Sequence, residues 1–322
     1  MPGFTTHYLF GQQTYQLLEN PDLKQSIQKQ HTVYCLGLQG PDIFFYDVLS
    51  SVSARKNPGS IAHTAETGKF LRFLLEGPRI FPSEKERQTA RIYALGFMGH
   101  YLLDTVCHPY IYAITHYSRH KKGYIGKHIR LETDIDTALL WRFQHRRPSE
   151  FHQNESITLS KEQRITVATL LYFAFLRAYP NLGIKRRGIL HAIRAMQTGT
   201  KLLYDPTGRK KTFLRRLESI VPGYPILSPL VPNDTLIFHK DPCNLKRRLW
   251  TNPWDPGQMS RESFYELFEK AQIRYCRILK ESESLFLGRL SPEEYGRAMS
   301  GVLVSLGDLC YHSGLNSAPY LP

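Results

Sequence analysis

Histidines and carboxylates at the spacing of one helical turn occur in two short segments of the sequence. The first segment is His100-Tyr-Leu-Leu-Asp104-Thr-Val-Cys-His108, and the second is His128-Ile-Arg-Leu-Glu132. Residues four apart lie on one face of an α-helix. Imidazole and carboxylate groups on rigid helices suit zinc, which needs nitrogen and oxygen donors at about 2 Å. The spacing therefore predicts a metallohydrolase.

A single histidine on an apolar helix is more often a core residue that is satisfied by one hydrogen bond. The joint pattern argues against that interpretation here. His100 and Asp104 lie in an otherwise apolar segment, in which an unpaired carboxylate would be costly to bury, and Gly96 and Gly99 leave room beside them. Because a second pair follows at the same spacing, we interpret both pairs as ligands of a cation.

Helical periodicity dominates the chain, and the alternation that marks strands is scarce. The helices are expected from Thr5 or Thr6 to about Glu19, Pro21 to about His31, Ser60 to about Glu76, Ser83 to Cys107 and His128 to about Gln144, and over about 160–179, 184–204, 259–287 and 291–312. Pro109 is expected to end or kink the helix that carries His100. The expected fold class is all-α, a multi-helix bundle with metal ligands on facing helices. One domain is expected over residues 1–322, with a Pro-rich irregular insertion at about 221–256.

The bulk composition is that of a globular protein with an unusual charge. Hydrophobic residues make up 42% and charged residues 22%, which excludes wholesale disorder. The net charge of +14 favours anionic partners such as phospholipid headgroups, nucleic acid or phosphate-bearing substrates, without choosing among them. No protein partner is implied. The five cysteines form no CxxC pair, and neither a signal peptide nor a membrane-spanning segment is seen, so the expected location is cytoplasmic or peripheral to the membrane.

Basic clusters flank an apolar stretch in the second half of the chain. The clusters are Lys185-Arg-Arg187, Arg209-Lys-Lys211, Arg215-Arg216 and Lys246-Arg-Arg248, and the stretch is 221–231. One interpretation is a lip that contacts anionic lipid while its apolar side chains enter the interface. The other is a loop that caps the bundle beneath solvated basic residues. Similarly, Trp250 and Trp254 either grip a headgroup in the cleft or act as packing anchors.

Taken in order, several motifs resemble those of the zinc-dependent phospholipase C family, which includes bacterial phospholipases C and glycosylphosphatidylinositol-specific phospholipases D. The resemblance covers roughly residues 5–140 by motif. It rests on Thr6-His7 with Gly11, Gly40-Pro41-Asp42, His63, the segment from His100 to His108, and His128 with Glu132. It implies an all-α fold, two or three zinc ions and hydrolysis of a phosphodiester. The implied ligands are His7, Asp42, His63, His100, Asp104, His108, His128 and Glu132.

Carried over from the family, Asp104 would bridge two metal ions, with His63 and His100 completing one site and His7 holding the other. A third ion would be held by His108 with the His128 and Glu132 pair. Asp42 would be either a ligand or the catalytic base that activates water. Secreted members use the amino group of an N-terminal tryptophan as a ligand, whereas six residues precede His7 here and none is tryptophan.

Three functions stay open at this point. The leading one is a zinc phosphodiesterase that acts on phospholipid headgroups. The second is a nuclease or nucleotidase on the same zinc scaffold, which would need aromatic residues placed to stack bases. The third is a non-catalytic zinc protein at a membrane surface, for which a closed four-ligand site would be expected. Among further residues, Asp134, Asp136 and Glu66 could orient ligands, and His116 or His120 could replace His108.

Overall fold

The computed structural model describes residues 3–47, 57–117, 124–220, 225–234, 241–287 and 290–320, and these residues are predominantly helical. The α-helices are α1 Phe4–Leu17, α2 Pro21–Lys29, α3 His31–Gly37, α4 Pro58–Thr64, α5 Thr67–Glu76, α6 Glu84–Ile114, α7 Tyr124–Gln144, α8 Gln153–Ser156, α9 Lys161–Ala178, α10 Arg186–Leu203, α11 Arg209–Ile220, α12 Leu227–Leu230, α13 Phe264–Leu287 and α14 Pro292–Leu306. Two short strands, β1 Trp250–Asn252 and β2 Asp255–Ser260, form an antiparallel hairpin. The expected all-α class is confirmed.

Helix α6 is the centre of the fold. It is 31 residues long, most of its middle is buried, and α3 and α13 pack against it. Helix α3 crosses α6 closely, since a Cβ added to Gly96 would stand 2.3 Å from the Tyr34 carbonyl oxygen. Gly99 likewise makes room for the Tyr275 ring. The expectation that the two glycines leave room beside His100 and Asp104 is wrong, because neighbouring helices fill that space.

Helix α6 also continues past Pro109 to Ile114, so the expected end at Cys107 is wrong. Pro109 has no N–H to donate to the carbonyl of Thr105 four residues earlier. The C-terminal segment packs at this point, since a Cβ at Gly314 (φ +66°) would stand 2.5 Å from the Thr105 carbonyl oxygen. Beyond the proline, Tyr110 is buried and its ring contacts Trp250. Tertiary packing on both sides thus maintains the helix through the proline.

The single helix expected from Ser60 to Glu76 is instead two helices, α4 and α5. Asn57, not Ser60, caps the first one, through hydrogen bonds from the N–H groups of Gly59 and Ser60. The break falls at Glu66, which has φ +44° and donates its N–H to the carbonyl of Ala318. A contact with the far end of the chain therefore interrupts a segment whose local sequence favours one helix.

Other helix boundaries also differ from those expected. Helix α1 begins at Phe4, so Thr5 and Thr6 are inside it and are not its caps. Helix α13 begins at Phe264, because residues 255–260 pair with β1. Helix α14 ends at Leu306, before Gly307 at φ +73°. The insertion expected to be irregular at 221–256 contains α12 and much of the hairpin; its residues 221–224 and 235–240 lie outside the described part.

Buried apolar side chains from Phe4 to Tyr311 form one cluster. The five cysteines are unpaired, as the sequence indicates. None of the helices in the described ranges has both the length and the apolar character needed to cross a bilayer.

Candidate metal centre

The eight predicted ligands lie on five elements that meet at the middle of α6. His7 lies on α1, Asp42 on a 3-10 turn at Gly40–Phe45 and His63 on α4. Helix α6 contributes three residues and α7 two, namely His100, Asp104, His108, His128 and Glu132. All eight residues are at most 7% exposed. The structure brings the whole predicted set together in the interior.

These side chains form three groups whose ligand atoms lie within 4.8 Å of one another. The groups are His7, Asp42 and His100; His63, His100 and Asp104; and His108, His128 and Glu132. Two of them share His100, so they are adjacent. Each group offers three imidazole or carboxylate donors, a number that leaves a coordination position for another ligand in a catalytic zinc site.

Asp104 lies between the groups. Its Oδ1 is 3.2 Å from the Nε2 of His7, and its Oδ2 is 3.2 Å from the Nε2 of His100. Oδ2 is also 3.6 Å from the Nε2 of His63 and 3.4 Å from the Nδ1 of His108. One buried carboxylate therefore faces four imidazole rings, which is the position that a bridging ligand would need.

Backbone carbonyls orient three of the histidines. The Nδ1 atoms of His63, His100 and His108 donate to the carbonyls of Gly59 (2.6 Å), Leu38 (3.1 Å) and Tyr311 (3.0 Å), respectively. A carbonyl oxygen only accepts, so the proton sits on Nδ1 and the Nε2 lone pair points into the centre. The Nδ1 of His128 lies 3.0 Å from the hydroxyl of Tyr124. Partners of this kind are typical behind metal-binding histidines.

The turn that carries Asp42 approaches the centre because of Gly40. This residue has φ +50°, a conformation that favours glycine, and a Cβ there would stand 2.3 Å from the His100 ring. Asp42 Oδ1 reaches within 3.2 Å of the Nε2 of His63. Glycine at position 40 thus lets the backbone pass close to His100, where a larger residue would clash. The carboxylate of Asp42, two residues later, can therefore reach the centre.

The donor atoms fit a cation because many of them have no other partner. Within the described part of the chain, several buried atoms of the centre accept or donate no hydrogen bond: the Nε2 atoms of His7, His63, His100 and His108, Oδ1 of Asp42, and both oxygens of Asp104. Leaving one such atom unsatisfied costs about 1–3 kcal/mol. So many unpartnered donor atoms in one buried region are expected where a bound metal satisfies them.

The electrostatics keep most of the rings neutral. Burial, followed by the charge of His100, lowers the pKa of His7 to about 4, and burial lowers the pKa of His108 and His128 well below their usual range. Neutral imidazole is the form that binds zinc. His63 is the exception: burial acts to lower its pKa, but the nearby carboxylates of Asp104 and Asp42 outweigh burial and raise the pKa to about 9.

The two central carboxylates have opposite shifts. Burial acts to raise the pKa of Asp104, but electrostatic interactions with His108, His100 and His7 and a hydrogen bond with His100 outweigh it and hold the pKa well below its usual range. Burial raises the pKa of Glu132 well above its usual range. Asp104 is therefore held as an anion by the surrounding rings. Glu132 would ionise only with a compensating cation nearby.

His7 is held differently from the other histidines, because its Nδ1 has no hydrogen-bond partner among the described residues. Its ring stacks on that of His100, with the centroids 4.1 Å apart and an interplanar angle of 17°. Helix α1 is anchored to α7 by the Asp136 carboxylate, which accepts from the N–H of Thr5 (3.1 Å) and from the N–H (2.8 Å) and hydroxyl (2.6 Å) of Thr6. The anchor lies directly before His7. Asp136 thus caps a neighbouring helix.

Sequence reasoning missed the contribution of the C-terminal segment. His312 stacks on His63 (5.6 Å between centroids) and contacts the rings of His108 and Tyr112. Burial, followed by the charge of His63, lowers the pKa of His312 to about 3. The N–H of Tyr311 donates to the carbonyl of His63. His312 belongs to none of the three groups, and no spacing signal marks it, because its neighbours in the fold lie at least 200 residues earlier in the sequence.

The remaining candidates lie outside the three groups. Glu66 pairs with Lys69 (2.7 Å), His116 is exposed, and His120 lies outside the described residues. Asp134 is buried on α7. Trp250 is a packing anchor whose indole N–H donates to the carbonyl of Glu262. Trp254, by contrast, contacts Tyr112 beside the centre.

A helical bundle with buried histidines and carboxylates on facing elements defines a metal-dependent protein of the zinc phospholipase type. The chain belongs to the zinc-dependent phospholipase C family, whose family model matches residues 6–181, more than half of the 322 residues. The matched range includes all eight predicted ligands. No curated protein and no solved structure matches the chain significantly. In general terms the chain is a phospholipase C-like zinc enzyme, and the family implies a phospholipid substrate.

Proposed function

We propose that the protein hydrolyses the phosphodiester bond between the headgroup and the diacylglycerol of a phospholipid, with two or three zinc ions bound at the centre. The observation that carries this proposal is Asp104. It lies buried between groups of imidazole and carboxylate donors, and among the described residues its own oxygens and the Nε2 atoms of His7, His63 and His100 have no hydrogen-bond partner. A structural zinc site would need only one closed set of four ligands, whereas this centre offers adjacent groups of three.

The residues divide into roles by position. Asp104 would bridge two ions, with His63 and His100 completing one site and His7 and Asp42 completing the adjacent one. The remaining ion would be held by His108, His128 and Glu132. We assign Asp42 as a ligand, because one of its carboxylate oxygens lies within the group of His7 and His100.

Zinc, when bound, lowers the pKa of water toward neutrality and neutralises the charge that develops on phosphate oxygens. The chain's own contribution is to keep His7, His108 and His128 neutral and to hold the rings aligned before substrate arrives. Carbonyls behind His63, His100 and His108 fix each proton on Nδ1, so no ring has to reorient during the reaction. The buried setting also limits access of bulk water to the phosphodiester.

An aromatic cluster beside His128 is the proposed contact for the substrate. Tyr112 lies 4.7 Å from the ring of His128 and 4.8 Å from that of Trp254, and Tyr117 lies 4.8 Å from Trp254. Tyr124 stacks on Tyr112 at 6.0 Å. Tyr117, Tyr124 and Trp254 are partly exposed, so the cluster connects the centre to the surface.

The same cluster is the observation that favours a second candidate, a nuclease. Aromatic faces stack nucleobases as readily as they contact lipid headgroups, and the net charge of +14 suits a polyanion. We rank this candidate below the phospholipase because the family is defined by phospholipase C activity. Turnover of single-stranded DNA that exceeds turnover of phospholipid would reverse the ranking.

The test combines metal counting with turnover. Elemental mass spectrometry on protein purified without chelator should give two or three zinc ions per chain, and the same sample should hydrolyse phospholipid. Asp104→Ala and His128→Ala should lose zinc and turnover together while circular dichroism shows helix content largely intact. His145→Asn is the matched control: His145 is exposed and has φ +52°, which asparagine tolerates, so both readouts should stay unchanged. Full activity in either ligand variant would refute the proposal.

A further inference from the structure

Helix α11 differs from an ordinary surface helix, because three of its large apolar side chains face solvent. Phe213, Leu217 and Ile220 are 61%, 47% and 79% exposed. The residue of this helix that is buried is a cation, Lys211, at 3% exposure. A surface helix normally buries its apolar stripe and exposes its charges. The apolar side of α11 therefore lacks a partner among the described residues.

Two arginines share the apolar side of the helix. With 3.6 residues per turn, Arg209, Phe213, Arg216, Leu217 and Ile220 fall within an arc of roughly 100°. Both arginines are exposed. The side therefore combines apolar bulk with positive charge, which is the composition of helices that lie at the surface of an anionic bilayer.

The opposite side of α11 is fixed to the body of the protein. The Nζ of Lys211 donates to the carbonyl of Val231 at 2.7 Å, and its backbone N–H donates to Asp205 at 2.8 Å. Glu218 accepts from the N–H groups of Ile226 (2.7 Å) and Ser228 (3.0 Å). These polar contacts set which side of the helix faces outward. The exposed apolar side is thus built into the fold.

The apolar surface extends from α11 onto α12. Ile226 and Leu227 are 45% and 54% exposed, and Glu218 ties them to α11. Helix α12 in turn packs on α7, where the hydroxyl of Thr133 donates to the carbonyl of Pro229 at 2.8 Å. Thr133 directly follows Glu132 of the metal centre. The surface is therefore connected through one helix to the candidate site.

We propose that the surface formed by Arg209, Phe213, Arg216, Leu217, Ile220, Ile226 and Leu227 docks on an anionic phospholipid bilayer. Charge complementarity selects this partner. A symmetric pair of copies meeting through the same surface would bring Arg209 and Arg216 against identical cations, which is unfavourable. An anionic lipid surface instead attracts the arginines while the apolar side chains enter the interface. The inference concerns binding and does not require hydrolysis.

Vesicle flotation tests the proposal. The full chain is mixed with vesicles of equal parts phosphatidylglycerol and phosphatidylcholine, and separately with phosphatidylcholine alone. Binding should be stronger on the anionic vesicles and should weaken as salt is raised. The double variant Phe213→Ser with Ile220→Ser should bind at least about tenfold more weakly, since a buried CH₂ group contributes about 0.8 kcal/mol. Arg209→Gln and Arg216→Gln should each cost about fivefold, from roughly 1 kcal/mol per cation.

Matched controls come from apolar residues that are equally exposed elsewhere. Ile273 on α13 and Val304 on α14 are 66% and 82% exposed, and changing both to serine should leave binding unchanged. All variants should retain turnover of bis(p-nitrophenyl) phosphate, a soluble phosphodiester that needs no membrane. Vesicle binding without turnover would leave this surface standing and refute only the proposed hydrolysis.

Three results would overturn the inference. One is the absence of vesicle binding by the unaltered chain. Another is equal loss of binding in the α11 double variant and in the control pair. The third, seen by analytical ultracentrifugation, is a dimer that the change of Phe213 and Ile220 to serine dissociates while vesicle binding persists; the surface would then belong to a second copy of the chain.

Discussion

Two buried aspartates, Asp104 and Asp136, have different roles around the metal centre. Asp104 faces histidine rings, and the rings hold its pKa low. Asp136 faces backbone N–H groups at the start of α1, and burial raises its pKa to about 6 against the hydrogen bonds from Thr6 and Thr5, which lower it. We infer that the first carboxylate belongs to the ligand set and the second positions a ligand, because Asp136 fixes the turn that carries His7.

Asp136→Ala should loosen the turn that carries His7. The substitution leaves two buried N–H groups and a hydroxyl of Thr5 and Thr6 without their acceptor, at about 1–3 kcal/mol per buried group and less where water enters. We expect the free energy of unfolding to fall by about 2–4 kcal/mol. The zinc content should fall by one ion per chain, the ion assigned to His7, while the other ions stay bound. Chemical denaturation and elemental mass spectrometry measure the two effects.

Asp22, an exposed aspartate in the first turn of α2, provides the comparison. Asp22→Ala should change stability by no more than about 0.5 kcal/mol and should leave zinc content unchanged. If Asp136→Ala lost stability but kept its full zinc complement, Asp136 would be structural only, and His7 would be positioned by its stacking on His100.

At the scale of single residues, the sequence predicts what repeats at a helical period. The pair His128 and Glu132 and the series from His100 to His108 stand out because their spacing puts them on one face. His312 has no such pattern, and its neighbours His63 and His108 lie on helices that are distant from it in the sequence. A residue that reaches the site through tertiary packing leaves no local signal.

At the scale of elements, boundaries follow the sequence where the cap is local. Helix α9 begins after Ser160, whose hydroxyl accepts from Gln163 while the Gln163 side chain accepts in return. Such a pair is visible in the sequence. Two of the unexpected boundaries depend on other segments, since Ala318 interrupts the chain at Glu66 and the strand pairing of 255–260 delays the start of α13. Local propensity is overridden at these points by hydrogen bonds from elsewhere.

Helix α11 yields a prediction about pH because its buried cation is costly. Burial lowers the pKa of Lys211 from 10.5 to about 8. Between pH 8 and 10.5 the folded protein therefore binds fewer protons at this residue than the unfolded chain does. The free energy of unfolding should rise with pH across this window through Lys211, by up to about 3 kcal/mol, and the benefit should be lost as pH falls to 8.

The Lys211→Met variant lacks the pH dependence that comes from Lys211. The free energy of unfolding of this variant should therefore rise less between pH 8 and 10.5 than that of the unaltered chain. Comparing slopes cancels the lost hydrogen bond to Val231 and the titration of tyrosines and cysteines common to both proteins. Lys210→Met, at the exposed neighbouring position, should keep the original slope. Equal slopes for all three proteins would mean that Lys211 is charged in the fold at no cost.

At the scale of the whole molecule, the site is completed by a part of the chain beyond the family match. The match ends at residue 181, whereas the segment 307–320 supplies the Tyr311 carbonyl to His108 and binds the backbone of α4 through Tyr311 and Ala318. Helix α13, also outside the match, packs on α6. We expect the chain to unfold as one cooperative unit, as the prediction of a single domain over residues 1–322 requires.

The closing segment can be tested at Gly314. A Cβ there would stand 2.5 Å from the Thr105 carbonyl oxygen, and φ +66° disfavours other residues. Gly314→Ala should displace the segment, lower the free energy of unfolding by about 1–3 kcal/mol and weaken zinc binding, because the Tyr311 carbonyl orients His108. Gly296 and Gly301 in α14 are the controls, since a Cβ at either meets open space and alanine favours helix.

Removing residues 307–322 makes the same test more severely. If the segment only covers a finished centre, the shortened chain and Gly314→Ala should bind zinc as tightly as the unaltered chain, whatever happens to stability. If the segment belongs to the centre, zinc affinity should fall in Gly314→Ala, and further in the shortened chain, while the glycine controls stay unchanged. Competition with a chelator measures the affinity, and because Gly314→Ala retains every ligand, a loss in that variant would come from the displaced segment alone.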